Sequence, residues 1–222
     1  LRDGELVVAL EEERFTRQKH TWGFPHQSIA RAIAAAGLSP ADIHHVAVSI
    51  DPLKDWEKKA AFALTLGTRV LPFLKHEYWR AFQKQREFKA WFAKTFSGPR
   101  RPQLHNVAHH LSHIGGSFFV SPYERAALLS MDGSGEWSTT WLGETDGRDF
   151  TCFSESYFPH SLGSFYEAAT EFCGFQPNYD EGKTMGLAPF GDPERFSNEM
   201  GKLVHVDRDG RVHVDQSYFT YN

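Results

Sequence analysis

The stretch LHNVAHHLSHIGGSFFVSPYERAALLSMDGSGEW, residues 104–137, decides the fold class of this chain. It predicts a short strand over Leu104–Val107, a helix over His109–Phe119, and an apolar strand over Arg125–Met131 that ends at Asp132. A helix between two strands is typical of α/β domains, in which helices cover a sheet. The sequence therefore predicts an α/β fold.

The same alternation continues on both sides of this stretch. Upstream, the sequence predicts a strand over Leu6–Leu10, a helix that opens at Pro25 and stops at Gly37, and a strand over Val46–Ile50. Downstream, the predicted elements are strands over Ser138–Gly143 and Phe150–Tyr157 joined at Asp146-Gly147, helices over His160–Phe172 and Lys183–Leu187, and a hairpin of Leu203–Val206 with Val212–Val214.

Residues 54–101 differ from the rest of the chain in charge and aromatic content. They carry 12 basic and 4 acidic residues, whereas the remainder carries 12 basic and 24 acidic residues. Their aromatic residues recur at helical spacing and are Tyr78, Phe82, Phe88, Trp91, Phe92 and Phe96. This pattern predicts a helical insertion whose aromatics pack on the body of the domain; the alternative is a lid that binds an acceptor or a partner.

Overall composition excludes several classes of protein. Of the 222 residues, 41% are hydrophobic and 23% are charged, the balance of a folded globular chain. The net charge of −4 argues against binding of polyanions over the whole surface. Cys152 and Cys173 lie outside any CxxC pair, which excludes a disulfide framework and a cysteine zinc ribbon and indicates a reducing, cytoplasmic location. No apolar run reaches about 18 residues, so no membrane-spanning helix is expected.

The two ends of the sequence indicate a piece of a longer chain. Leu1-Arg2-Asp3-Gly4 is typical of a turn that enters a strand, and the far end stops at Asn222 without a helix or a polar tail. We therefore expect residues 1–222 to be the N-terminal part of a larger protein.

A pair of histidines is the first candidate for chemistry. On a helix, His109 and His113 are four residues apart, so their rings project from one face and can share a metal ion. Asp132, at the end of the following strand, would supply a carboxylate, and two imidazoles with one carboxylate suit iron, manganese or zinc. The alternative is a surface histidine cluster without a metal, because the HxxxH spacing alone is permissive.

Three further motifs are each open to two interpretations. Gly133-Ser134-Gly135 could let backbone N–H groups approach a phosphate, or could form a plain hairpin turn. Asp180–Pro189 offers Glu181 to a ribose hydroxyl and Lys183 to a phosphate, or is a charged helix cap. The charged run over Glu11–His20 could line a polar site, or could be a solvated loop with local ion pairs.

Four of these elements in fixed order, EEERFTRQKH, HHLSH, DGSGEW and EGKTMGLAPFG, resemble the O-carbamoyltransferases of nodulation and antibiotic biosynthesis. The likeness runs from Leu1 to about Phe196 and is weakest in the insertion. It implies an actin/sugar-kinase/Hsp70-like fold, a ribonuclease H-like mixed sheet flanked by helices. It also implies transfer of a carbamoyl group from carbamoyl phosphate, through a carbamoyl-adenylate made with ATP in a companion C-terminal domain, to a hydroxyl of a small molecule.

The resemblance also assigns roles to residues. It implies a divalent metal, with Fe²⁺ the family's ion and Mn²⁺ or Zn²⁺ as alternatives, on His109, His113 and Asp132, with a further Asp ligand beyond Asn222. The nucleotide side would involve Gly133, Ser134, Gly135, Glu181, Gly182, Lys183 and Gly186. Lys19 would lie near the acceptor or phosphate. His110 and Asp180 are the candidates for the general base that takes the proton of the acceptor hydroxyl.

Two other functions compete with this interpretation. An enzyme of the tRNA-threonylcarbamoyl type would use the basic, aromatic insertion to hold RNA, although EERF and DGSGEW resemble the small-molecule branch more closely. A partner-binding domain with a vestigial site would not be an enzyme. We expect a small hydroxyl acceptor and a nucleotide as partners and neither a membrane nor nucleic acid; self-association is left open.

Overall fold

The computed structural model describes residues 1–19, 21, 23–51, 54–65 and 85–219. The chain divides into two compact units. Unit 1 contains Leu1–Val48 and Ala60–His105, and unit 2 contains Ser49–Lys59 and Asn106–Asn222. Two aromatics of the predicted insertion, Tyr78 and Phe82, lie outside the described residues.

Helices and short strands make up the first part of the chain. Their bounds are α1 Glu13–Thr16, α2 His26–Ala35, β1 His45–Val48, α3 Trp56–Thr65, α4 over residues 85–95, and β2 Gln103–Asn106, which pairs with β1. The α2 helix begins after Pro25 and ends before Gly37, whose φ of 67° is left-handed, as the sequence predicts.

The predicted strand over Leu6–Leu10 is wrong. The segment has no regular secondary structure, and no other described strand pairs with it. Leu6 is 62% exposed and Leu10 is 41% exposed. Apolar composition predicts a strand only where a partner supplies hydrogen bonds, and the described chain supplies none here.

The described aromatics of the insertion form a packed cluster in unit 1. Phe92 and Phe96 have ring centroids 4.9 Å apart, and Trp91 lies 5.0 Å from Phe24. Phe96 is only 3% exposed. The aromatic spacing of the described helix therefore reflects packing, as predicted.

An antiparallel sheet forms the centre of unit 2. Its strands are β3 Ala126–Gly135, β4 Ser138–Thr145 and β5 Phe150–Tyr157, in that order across the sheet. The remaining elements are α5 His109–Phe118, α6 Leu162–Phe172, α7 Glu181–Leu187, α8 Ser197–Leu203, and the hairpin of β6 Val204–Val206 with β7 Val212–Val214.

The core of unit 2 lies between α5 and the sheet. Ile114 and Phe118 of α5 pack against Leu128 of β3 and Trp141 of β4, and all four side chains are less than 9% exposed. Burial of such large apolar side chains contributes roughly 1.5–3 kcal/mol each. The contact fixes which face of α5 points away from the core.

The sequence predicts that this strand ends at Asp132, whereas β3 continues to Gly135. Its register with β4 shifts between Met131 and Gly135, so the ladder is irregular there. The turn into β4 falls instead at Glu136, whose φ of 49° is left-handed. An irregular strand end changes the direction of side chains locally, which is how Asp132 comes to face the helix. The molecule is thus mixed α/β, and the actin-like topology remains a prediction.

Candidate metal centre

Three potential ligands converge on one point of unit 2. Asp132 Oδ2 lies 2.6 Å from His109 Nε2 and 3.2 Å from His113 Nε2, and the two Nε2 atoms are 3.0 Å apart. The described part of the chain contains one such group of three metal-ligand side chains within 4.8 Å of one another. The structure therefore brings together the residues that the sequence singled out for a metal.

Helix geometry and the irregular strand end produce this convergence. His109 and His113 lie one turn apart on α5, and their rings are 4.6 Å apart at 81°. Asp132 is held from both sides: its Oδ1 accepts the backbone N–H of Gly133 at 2.7 Å, and Ser161 Oγ lies 3.1 Å from its carbonyl oxygen. The carboxylate is thereby directed at the helix.

Two glycines allow the close approach of these elements. A Cβ on Gly135 would overlap the imidazole of His109, and a Cβ on Gly163 of α6 would overlap the backbone of Gly133. Ser161, the N-cap of α6, lies 2.8 Å from the carbonyl oxygen of Gly133. The N-terminus of α6 is therefore seated directly on the strand segment that carries Asp132.

A carboxylate fixes the start of the helix that carries the histidines. Both oxygens of Glu136 accept the backbone N–H of His109, at 3.1 and 3.2 Å, and Oε1 also accepts the N–H of Asp51 at 2.7 Å. The first N–H groups of a helix have no partner within the helix, so this carboxylate supplies one.

The electrostatics of the cluster favour a bound cation. The hydrogen bond with Asp132 raises the pKa of His109, although burial opposes it. The same hydrogen bond holds the pKa of Asp132 well below its usual range. Two imidazole lone pairs and a carboxylate that face one point repel each other unless a proton or a metal ion lies between them. The donor set of two imidazoles and one carboxylate suits Fe²⁺, Mn²⁺ or Zn²⁺.

The cluster is also open to a substrate. The side chains of His109, His113 and Asp132 are 30%, 57% and 38% exposed. Three protein ligands on an accessible surface leave coordination positions for other groups, which is the arrangement of catalytic rather than structural metal sites.

The structure places His110 in the core, away from this cluster. It is fully buried, and its ring nitrogens lie 2.7 Å from Ser130 Oγ and 3.0 Å from the Ser138 carbonyl oxygen. Burial lowers the pKa of His110. A ring with both nitrogens engaged inside the domain has no path to a hydroxyl acceptor, so the assignment as general base is corrected to a structural one.

The other two predicted catalytic residues are Asp180 and Lys19. Asp180 Oδ1 forms an ion pair with Lys183 Nζ at 2.8 Å beside the start of α7. Lys19 is exposed and belongs to unit 1. The catalytic roles of Asp180 and Lys19 stay a prediction.

The predicted nucleotide motif forms α7, an exposed helix that is attached to α6. Thr184 of α7 donates a hydrogen bond to Thr170 of α6 at 3.0 Å, which attaches the two helices. A Cβ built on Gly182 or Gly186 would meet no described atom within 4 Å. Ser134 is exposed as well. These positions are accessible, and their binding of a nucleotide stays a prediction.

Sequence reasoning missed several residues that shape the site. Glu136 belongs to the quoted DGSGEW motif, but its role depends on a helix that lies 27 residues upstream in the sequence. Glu167 of α6 faces Gly133, and burial raises its pKa, with the charges of Glu181 and Asp132 adding to the effect. Ser161 could have been found, because a serine before an apolar helix is the usual N-cap.

Comparison with known proteins places the chain in a family. The family described as Carbamoyltransferase N-terminus matches residues 1–222. This chain belongs to the carbamoyltransferase N-terminus family. An uncharacterized protein of Synechocystis is 36% identical over 230 residues, which cover 100% of this chain and 37% of that protein.

Two rhizobial proteins are also similar to this carbamoyltransferase N-terminal chain. The nodulation protein NolNO of Sinorhizobium fredii is 30% identical over 219 residues, or 97% of this chain and 31% of that protein. The nodulation protein NolO of Bradyrhizobium diazoefficiens is 30% identical over 112 residues, or 49% of this chain and 20% of that protein. The chain thus spans about a third of the length of the first two relatives.

The family resemblance predicted from the four motifs is confirmed by these matches. Among the described residues, no helix combines the length and the apolar character required to cross a bilayer.

Proposed function

We propose that this chain is the metal-binding, acceptor-side part of an ATP-dependent O-carbamoyltransferase. In the proposed reaction the oxygen of a hydroxyl acceptor attacks the carbamoyl carbon of carbamoyl-adenylate. The bond from that carbon to the phosphate oxygen breaks, AMP leaves, and the hydroxyl proton passes to a base. One observation carries the proposal: His109, His113 and Asp132 converge in a chain of the carbamoyltransferase family.

The residues of the cluster have defined tasks in this proposal. Held by His109, His113 and Asp132, a divalent ion such as Fe²⁺ would supply positive charge to the phosphate of the leaving group. Asp132 and the two imidazoles set the position of that charge through their own fixed geometry. Lys183 would offset a further phosphate charge from α7. Of the two predicted general bases, Asp180 alone is partly exposed.

The experiment compares two histidine pairs of the same full chain. His45 Nδ1 and His105 Nε2 in unit 1 also lie 3.0 Å apart, but they belong to no described group of three metal ligands. We expect His113→Ala to abolish binding of Fe²⁺ and Co²⁺, and His45→Ala to leave it unchanged. Titration by calorimetry and metal analysis after anaerobic loading measure both. Equal metal content in the two variants would show that the ligand set is wrong.

Activity needs a second measurement. The assay incubates the full chain with ATP, small hydroxyl compounds and carbamoyl phosphate that is labelled at its carbamoyl carbon. It is run with and without a purified adenylate-forming partner. The proposal is supported if the wild type transfers label to the hydroxyl compound and His113→Ala does not. Because a further Asp ligand is expected beyond Asn222, we expect residues 1–222 alone to be inactive. Metal binding without any transfer by the longer protein that contains this chain would contradict the catalytic role.

The basic insertion favours one alternative acceptor, tRNA. Residues 54–101 carry an excess of basic residues, and their described aromatics include Trp91 and Phe88. Those rings pack against each other and Phe24, which removes them from stacking on bases. The same assay with tRNA as acceptor separates the two functions, and label in tRNA alone would favour the threonylcarbamoyl-type enzyme.

A further inference from the structure

One edge of the central sheet of unit 2 is open in the described chain. β3 pairs with β4 on one side, and among the described residues no strand pairs with its other side. Successive residues of a strand direct their backbone N–H and C=O groups to opposite sides. About half of these groups in Ala126–Met131 therefore face the open edge, where they can pair with another segment.

The open edge of β3 lacks the features that usually prevent such pairing. Ala126–Met131 contains no charged residue and no proline, and its register with β4 is regular up to Met131. The strand at the other edge of the sheet differs. β5 carries Glu155, whose Oε1 lies 3.4 Å from Lys54 Nζ. A charge in an ion pair discourages edge pairing at β5, whereas the six residues of β3 carry none.

A groove lies between this open edge and α5. It has a volume of about 240 Å³, and its lining residues among those described belong to α5 and β3 and not to β4. The lining includes the buried side chains of Ile114, Phe118 and Leu128 and the exposed side chains of Ser117 and Leu129. The groove therefore follows the side of β3 that has no partner, and its surface is mainly apolar.

We propose that this groove receives one extended segment from the part of the longer protein that lies outside residues 1–222, and that the segment adds a strand to β3. The matched residues cover 37% of the Synechocystis relative and 31% of the Sinorhizobium fredii relative, so most of each relative lies outside the match. A segment of the same chain has an effective concentration of about millimolar, which a second copy lacks.

The groove also defines the chemistry of the segment. Alternate side chains of an added strand point to the α5 side of the sheet, where Ile114 and Phe118 line the groove. We expect these positions of the segment to be apolar, because a charge there would lose its hydration without gaining a partner. The inference goes beyond the proposed function and does not depend on a metal or on carbamoyl transfer.

The experiment uses the longer protein that contains this chain, labelled with ¹⁵N at leucine. Leu128 and Leu129 are consecutive, so one N–H bonds to β4 and the other faces the open edge. Ser117→Trp fills the groove from an exposed position on α5. Gly116→Trp is the matched control, since Gly116 does not line the groove and a Cβ there would meet no described atom within 4 Å. Amide exchange and light scattering are measured at several protein concentrations.

We expect both leucine amides of the wild type to exchange at least about 100-fold more slowly than in an unfolded chain, because both lie within a ladder. Ser117→Trp should accelerate one of them at least about 10-fold and leave the other unchanged. Gly116→Trp should change neither. If Ser117→Trp fails to fold, Ala127→Lys, which places a charge in the groove lining, decides by the same readouts.

Three results would overturn the proposal. The first is a wild type in which only one of the two leucine amides is protected. The second is wild-type exchange in Ser117→Trp, which would assign the protection to burial beneath α5. The third is protection that disappears on dilution together with a dimer in light scattering, which would make a second copy the occupant of the edge.

Discussion

At the scale of single residues, the imidazole of His109 lies against the end of β3 only because position 135 has no side chain. The Cγ and Cβ atoms of His109 would be 2.6 and 2.7 Å from a Cβ on Gly135. The ring cannot move aside without cost, because its Nε2 bonds to Asp132 and its backbone N–H bonds to Glu136. Gly135 is therefore required by the site rather than by its backbone conformation.

We predict that Gly135→Ala loses at least about 10-fold in Co²⁺ affinity, because the added methyl group displaces His109, a proposed metal ligand. The matched control is Gly116→Ala, since Gly116 lies on α5 and a Cβ there would meet no described atom within 4 Å. Alanine favours a helix over glycine by about 1 kcal/mol. The control should keep its metal affinity and gain thermal stability. Optical titration and thermal melts test the pair, and wild-type affinity in Gly135→Ala would contradict the argument.

Neighbouring histidines show what the sequence can and cannot predict at this scale. Successive helical residues are about 100° apart, so the sequence correctly separates His110 from the face of His109 and His113. It could not predict that His110 faces a polar pair inside the core, Ser130 and the Ser138 carbonyl. Those partners lie on two strands, and only the folded sheet brings them to the ring.

At the scale of elements, two helices in the chain start with caps that are distant in sequence. Glu12 accepts the N–H groups of Gln27 and Ser28 at 3.2 and 2.7 Å and so caps α2, and Glu136 caps α5. Sequence rules search for a cap within the first few residues of the helix. The existence of both helices was therefore predictable from their spacing, whereas the residues that fix their N-termini were not.

The β6–β7 hairpin is attached through His160 to the segment between β5 and α6. Val214 donates its N–H to His160 Nδ1 at 3.1 Å. The ring of His213 lies 5.5 Å from that of His160, and His205 stacks on His213 at 5.1 Å. His213 Nε2 in turn lies 2.9 Å from Asp207 Oδ2.

This arrangement predicts that the hairpin loosens in mild acid. Burial lowers the pKa of His160, and the neighbouring His213 lowers it further. Below about pH 6.5, the ordinary value, the unfolded state binds a proton that the folded state resists. Stability is therefore full above that pH and falls as the pH drops. Amide exchange of Val214 at pH 7.5 and 5.5 should show the loss.

The control variant replaces His160, whose ring titrates, by a residue whose hydrogen-bond acceptor does not titrate. In His160→Asn the amide oxygen can accept the Val214 N–H at every pH. We expect the variant to lose most of the difference in exchange between the two pH values. An unchanged difference would assign the effect to other histidines. Asp207, whose pKa is lowered by its hydrogen bond with His213, titrates below this window and does not interfere.

At the scale of the whole molecule, sequence patterns predict most strands of the unit 2 sheet. The turns between the strands predict which strands pair. The turn at Asp146-Gly147 and the apolar runs on either side predict the β4–β5 hairpin that the structure contains. The division into two units could not be predicted from the sequence, because Ser49–Lys59 belongs to the same unit as the residues from Asn106 onward. That association depends on single hydrogen bonds such as Asp51 to Glu136, which carry no periodic signal.

The division predicts that the proposed metal site depends on unit 2 alone. All three ligands, Glu136 and the residues from Ser49 to Asp51 belong to that unit. Phe96→Ala removes a side chain that is 3% exposed from the aromatic cluster of unit 1, at a cost of about 3–5 kcal/mol. We expect faster amide exchange over residues 85–95 and Co²⁺ affinity within about twofold of the wild type. Ile114→Ala, in the core beneath α5, should lower that affinity instead, because α5 carries both histidines. Equal losses of affinity in the two variants would show that the site is not self-contained in unit 2.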